Sequence, residues 1–371
     1  MKQFYLIVHK AFVVLALCCA WGGTAWADNI ATDDYVTINE VTLTPGSDDT
    51  YKVVVSLVGS RIYTACQMDI EFPAGLEPVL TRNQYVRVCS GDDDLCPDHT
   101  VASSYGKVGE GIMRLSCASL SSVEFASTSG QLFYFNVKAS AYLKPGDVTL
   151  KVTNCDFITK QDAQKYHCNE QTLTLTAEAQ STLSLTVSGD SHYATAVLPF
   201  AVATLPDGIK AYSTRQLDDS GTCVILDEVN SLAAYTPYML YSENGYTGTL
   251  SGTVDATGYQ ETVNDGFLYG AVAPQKKTEG YVLQDLGDGA KFYAMGGQQF
   301  NIPAGKCWLQ VPSQQEAAEF RISINHETAI TSPMQTSNTV TPAYTLDGKQ
   351  VEHMESGKVY VVNGHKILKL K

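Results

Sequence analysis

The stretch IYTACQMDIEFPAGL, Ile62 to Leu76, decides how the chain is read. Apolar and polar residues alternate along it until Pro73 and Gly75, two residues that end a strand ladder. The alternation predicts Ile62, Cys66, Met68, Ile70 and Phe72 on one face, and Tyr63, Gln67, Asp69 and Glu71 on the other. A strand this one-sided lies on a core, so the flanking sequence must supply a sheet and a second layer behind it.

Working outward, Val36 to Leu43 and Tyr51 to Val58 are strands by β-branched content, joined by the turn residues Pro45 to Asp49. A long irregular loop is predicted from Glu77 to Lys107. Strands resume at Gly111 to Ala118, Gly130 to Ala139, Asp147 to Thr153 and Thr172 to Thr176. A helical period nowhere persists for three turns. Some seven strands at this spacing predict a β-sandwich of jelly-roll size over residues 28–178.

Residues 1–27 read as a secretory signal peptide, with basic Lys2, His9 and Lys10, the apolar run Ala11 to Ala20, and an Ala25-Trp26-Ala27 cleavage site. The apolar run is too short for a membrane-spanning anchor, and neither Cys18 nor Cys19 follows the small residue that lipidation expects. The chain is therefore expected outside the cytoplasm, at the cell surface or in the periplasm, and not membrane-spanning once the signal is removed. That removal takes away two lysines and no acidic residue, leaving the rest more acidic than the −14 of the whole chain. Such a balance argues against nucleic acid and anionic membranes as partners, and is compatible with calcium.

Eight cysteines remain, an even number that in an exported chain reads as disulfides. Proximity suggests Cys89 with Cys96 and Cys155 with Cys168, which leaves Cys66 with Cys117, both expected to point inward, and Cys223 with Cys307. No C-x-x-C pair offers zinc spacing.

The N-terminal order of pieces resembles a cohesin-like domain: Pro45-Gly46 before YKVVVSLV, the strand Ala65 to Phe72 running into Pro73-Ala74-Gly75-Leu76, Ser129-Gly130 before LFYFNVKA, and Lys144-Pro145-Gly146 before VTLKVTN. The resemblance covers about residues 34–176. It implies a nine-stranded jelly-roll that recognises a dockerin partner or carbohydrate and does no chemistry of its own. Six cysteines depart from the pattern, and the chain holds no Asp-x-Asn-x-Asp dockerin loop.

Ala177 to Thr182 reads as a short polar joint, and a second all-β domain is predicted over 183–327. Its strands are expected at Leu183 to Val187, Tyr193 to Ala203 with Pro199 bending or ending it, Ile209 to Tyr212, Cys223 to Leu226, Pro237 to Tyr241, Phe267 to Val272, Gly280 to Leu286, Ala290 to Met295 and Gly305 to Val311. This order resembles a β-module of secreted surface proteins in anaerobic Gram-negative bacteria. A Ser/Thr-rich linker at 328–340 leads to a small C-terminal β tail, 341–371, predicted as three strands with turns at Asp347-Gly348, Ser356-Gly357 and Asn363-Gly364. The tail resembles the C-terminal sorting domain of type IX secretion cargo through Gly348, Gly357, Tyr360, Gly364 and Lys366. That resemblance implies the secretion machinery as a partner and attachment at the outer membrane surface. A terminal hairpin packed on the second domain is the plainer alternative.

Three candidate chemistries follow. The acidic loop Gly91 to Asp98 has oxygen ligands suited to calcium but lacks EF-hand spacing, so a solvated loop is the expectation and no cofactor is assigned. Asp69 and Glu71 share a face, as a glycosidase pair would, yet an ordinary polar sheet surface is the simpler account. Tyr235, Tyr238, Tyr241, Tyr246, Tyr259 and Tyr269 offer rings for sugar, with Trp308 the one tryptophan left after the signal. Tyr238, Tyr241, Tyr246 and Trp308 are the expected ligand-binding residues. The sum is an all-β, exported, surface-attached protein that is not an enzyme and binds glycan or a surface protein; the alternative is a structural or adhesive surface component.

Overall fold

The computed structural model describes residues 30–89, 93–161, 163–312 and 317–324, together with four short strands near the C-terminus. The signal segment, the 328–340 linker, Gly91, Asp92, Gly348, Gly357 and Gly364 lie outside the described residues. The protein is all-β: among the described residues every regular element is a strand. It divides into two compact units, the first ending at Asn325 and the second running from His326 to Lys371.

The first thirteen strands are β1 (Ile30–Thr32), β2 (Tyr35–Ile38), β3 (Thr42–Leu43), β4 (Tyr51–Val58), β5 (Ala65–Glu71), β6 (Leu76–Pro78), β7 (Val86–Val88), β8 (Thr100–Tyr105), β9 (Ile112–Ala118), β10 (Gly130–Ala139), β11 (Gly146–Ile158), β12 (Lys165–Cys168) and β13 (Gln171–Ala177). They form two facing sheets. One runs β1-β12-β11-β5-β9-β8, with β13 on β11 and β3 on β13; the other runs β2-β4-β10-β6, with β7 also on β10. Cys66, Met68 and Ile70 of β5 point inward, as alternation predicts, into a core shared with Phe133, Phe135 and Phe157. Phe72 meets Phe135 edge-on with ring centroids 5.7 Å apart. Each such buried side chain contributes about 1.5–3 kcal/mol.

The strand differs from its reading before residue 65. Tyr63 is buried and Ile62 is 44% exposed, the reverse of the predicted faces. Alternation holds only where the chain is pleated, and Tyr63 lies in the approach to β5, where its hydroxyl donates to Asp34 Oδ2 at 2.5 Å. The predicted loop from Glu77 to Lys107 contains β6, β7 and β8. Two of these are three residues long and pair with distant β10, so nothing in their local sequence marks them. The strand count of seven is corrected to thirteen for the same reason.

Strand β11 stays paired along its length by changing neighbours. Its first half takes β13, its second half β12, and the ladder to β5 shifts register between Thr153 and Asp156. Asn154 sits at that bulge with φ +48°.

The rest of the first unit is a ten-stranded sheet and two small two-stranded sheets. Tyr193–Ala196 stops before Pro199, and the strands at Cys223–Val229 and Tyr238–Tyr241 fall where expected. Tyr246–Thr253 and Glu319–Ile324 were not predicted. The first carries Gly248 and Gly252, which usually weaken a strand. Close approach requires the glycine at Gly252, where a Cβ would lie 2.7 Å from the fully buried Phe200 ring.

The polar joint is built into this unit. Thr182 N donates to Pro45 O (3.1 Å), and the buried Ser181 hydroxyl donates to Ala141 O (2.9 Å). Tyr142 crosses from the sandwich, its hydroxyl donating to Val197 O at 2.6 Å, and it packs in one buried cluster with Tyr235 and Val272. Two glycines seat this contact. A Cβ at Gly46 would lie 1.8 Å from Thr182 O, and one at Gly305 2.2 Å from the Tyr142 hydroxyl oxygen.

The described residues of the second unit form a four-stranded antiparallel sheet, in the order Gln350–Val351, Ala343–Tyr344, Val359–Val362, His365–Leu368. The expectation of three strands is corrected to four; Tyr360 and Lys366 fall on adjacent strands, opposite Ile367 and Val361.

Tyr142→Phe leaves the buried Val197 carbonyl without its donor and is expected to lower unfolding free energy by about 1–3 kcal/mol, read as a fall in urea midpoint at unchanged slope.

Candidate functional site

A cleft of about 700 Å³ opens where the sandwich meets the second half of the unit, a volume in the range of small-ligand sites. Its sandwich wall comes from Glu77 on β6, Tyr105 at the end of β8, Glu110 in the β8–β9 turn and Lys138 on β10. The opposite wall carries Tyr259 and Glu261, from the segment before the strand Thr262–Asp265.

Both tyrosines are half-buried and braced from behind. The Tyr105 ring meets Phe72 edge-on at 6.0 Å and Tyr85 at 5.8 Å, and Tyr259 meets Tyr235 edge-on at 6.3 Å. Burial, and then the carboxylates of Glu77 and Glu110, push the Tyr105 phenol above its usual pKa. Burial and Glu261 do the same to Tyr259. Both hydroxyls therefore stay protonated and able to donate at neutral pH. Lys138 lies 2.9 Å from Asp48, and Lys276 reaches across to Glu110 at 3.8 Å. The walls thus combine two braced rings with an excess of carboxylate, a lining that suits a neutral polyhydroxylated ligand and repels an anionic one.

The residues expected to bind ligand are not brought together. Trp308 and Tyr238 are buried in separate clusters, with Trp308 against Tyr269 at 5.7 Å and beneath Lys277. The Tyr238 hydroxyl accepts from Ala233 N at 3.1 Å. Tyr241 packs on Tyr193 at 5.1 Å, and Tyr246 packs against the cluster that holds Tyr238. Of the six tyrosines whose rings were offered for sugar, Tyr259 lines the cleft. The cleft has no local sequence signal, since its walls lie some 150 residues apart in the chain.

Asp69 is not free for chemistry. It is 4% exposed, receives two hydrogen bonds from Arg114 (both 2.7 Å) and one from Asn154 Nδ2 (2.7 Å), while Glu71 is exposed. Arg114 first, with help from Asn154, holds the Asp69 carboxyl below its ordinary pKa against the opposing effect of burial. On the same outer face Asp156 takes Lys165 at 2.6 Å and His167 Nδ1 at 2.7 Å. In the acidic loop Asp94 Oδ1 accepts from Cys96 N (2.9 Å), and among the described residues no group of three or more His, Cys, Asp or Glu side chains is placed to hold a metal.

All eight cysteines of the described residues are free thiols, so none of the four expected bridges is formed. Cys66 and Cys117 stand directly opposite on β5 and β9, and Cys155 and Cys168 are buried in the same core. Cys96, expected to join Cys89, is buried in the core cluster that also holds Cys66 and Cys117. Cys223 and Cys307 cannot pair in this fold. Three strands lie between theirs in the ten-stranded sheet, putting them well beyond the roughly 7 Å Cα limit of a disulfide.

No family model matches the chain, and no curated protein matches it. Among solved structures it is similar to a non-cellulosomal cohesin from the hyperthermophilic archaeon Archaeoglobus fulgidus, at 15% identity over 38% of this chain and 91% of that one, with a TM-score of 0.29. It is also similar to a type I cohesin–dockerin complex from Clostridium thermocellum, at 12% identity over 42% of this chain and 100% of that one, TM-score 0.31. A third likeness is to CaCohA2 from Clostridium acetobutylicum, at 18% identity over 42% and 97%, TM-score 0.30.

Because the folded Asp69 carboxyl has a depressed pKa, its ion pair adds stability above the unfolded value of about 3.9 and loses it as pH falls through the folded value. Asp69→Asn is expected to cost on the order of 1 kcal/mol at pH 7, with the gap to the parent closing below about pH 4, measured by urea unfolding at both pH values.

Proposed function

We propose that the protein is an exported, non-catalytic binding protein whose cleft holds a neutral glycan. The carrying observation is the pair of braced rings, Tyr105 and Tyr259, on opposite walls of one cleft beside Glu77, Glu110 and Glu261. Sugar rings present flat C–H faces to aromatic rings and hydroxyls to carboxylates, so the two kinds of group recognise the two kinds of sugar surface. Uncharged ligands enter without working against the acidic lining. Export rests on the signal-like segment, and delivery to the surface by the secretion machinery rests on the resemblance of the tail to a sorting domain.

Calorimetric titration of the mature chain with neutral oligosaccharides, after a glycan-array screen, tests this reading. Tyr105→Ala and Tyr259→Ala are each expected to weaken binding about fivefold to tenfold, while polyuronates do not bind. A blank array, or binding indifferent to both tyrosines, overturns the glycan reading and leaves a surface-protein partner.

A further inference from the structure

Tyr235 lies directly behind the lining of the cleft. It is 6% exposed and shares one buried cluster with Tyr142 and Val272, against which Tyr259 and Ala304 pack, and all four of these residues line the cleft. Its hydroxyl is buried without a hydrogen-bond partner among the described residues. Burial first, then Asp255 and Tyr259, push this phenol up to about 12, so it stays a donor. A buried donor left unpaired is destabilising until a group outside the chain accepts from it.

The backbone holds Tyr235 there under strain. Its φ is +52°, in the left-handed region that a bulky side chain rarely occupies. Three hydrogen bonds fix the turn: Leu232 N donates to Val202 O at 2.9 Å, Ala233 N to the Tyr238 hydroxyl at 3.1 Å, and Tyr235 N to Leu198 O at 2.7 Å. Strain maintained beside an unpaired polar group points to a ligand rather than to packing. Tyr259 is the movable part of the lining. Its segment is held at the ends, where Asp255 N donates to Pro199 O (3.0 Å) and Glu261 O accepts from Val272 N (3.0 Å). Between them Thr257 N and Gly258 N both turn back to Asp255 Oδ1, at 2.9 and 3.3 Å. The segment rests on Tyr235, since a Cβ at Gly258 would lie 2.9 Å from that ring. Among the described residues Tyr259 meets one ring, Tyr235, where Tyr105 meets two.

We propose that Tyr235 is a further ligand contact of the cleft: as a glycan stacks on Tyr259, that ring shifts off Tyr235, and the uncovered Tyr235 hydroxyl donates to one sugar hydroxyl oxygen. This rests on the reading of the cleft as a glycan site and gives that site its selectivity. A buried donor built to meet one hydroxyl discriminates against the sugar that lacks it, because the donor is then left unpaired.

Calorimetry on the mature chain and on Tyr235→Phe, with neutral hexaoses of glucose, mannose, galactose and xylose, tests the contact. Tyr235→Phe keeps the ring, so the urea midpoint of the free protein is expected to hold or rise as an unpaired group is removed. Binding is expected to weaken about fivefold to tenfold. Among mono-deoxy analogues of the bound hexaose, one is expected to lose the same factor on the parent and nothing further on Tyr235→Phe. Equal binding by parent and variant, a lowered midpoint, or a loss spread evenly over the analogues overturns the inference and leaves the glycan site standing. If the parent binds none of the hexaoses, the glycan reading fails and this inference fails with it.

Discussion

The constraint on which the sandwich depends is that one face of β5 has nowhere to go except against the opposite sheet. Cys66, Met68 and Ile70 meet a layer of phenylalanines, and the same strand holds the middle of its own sheet, flanked by β11 and β9. Its outer face is held as firmly, since Asp69 is gripped by Arg114 on one neighbour and Asn154 on the other. A one-residue slip would expose the apolar row and bury the ion pair, so register is specified from both sides.

The bulge at Asn154 follows from this. β11 must keep its ladder with β5 while serving β13 and then β12, and the left-handed residue that absorbs the register shift also places an amide on Asp69. A polar residue that looks incidental in the sequence thus links a backbone irregularity to the charge pair beside it.

Local pattern was legible where strands are long and half-exposed. The alternation from Cys66 to Phe72, the stop at Pro73 and the turn at Pro45-Gly46 all read directly because each side chain's environment repeats every second residue. Tyr63 did not read, because its burial comes from Asp34 rather than from pleating. The short strands β6 and β7 did not read either, since they exist only through pairing with β10. Tyrosines were a sound residue type to suspect for ligand contact, but their choice needed tertiary information: Trp308 is spent on core packing, and Tyr105 had no neighbour in sequence to distinguish it. Cysteine pairing read along the chain misled in the same way, leaving Cys223 to Cys307 although three strands separate theirs in the folded sheet.

The seats at Gly46 and Gly305 have a mechanical corollary. With a carbonyl oxygen and a phenol resting where side chains would otherwise stand, the sandwich and the strands after it have no slack in which to pivot. A pull applied between residues 30 and 324 therefore cannot be relieved by bending at the junction. It loads the Tyr142 and Thr182 contacts, which tie the two halves together.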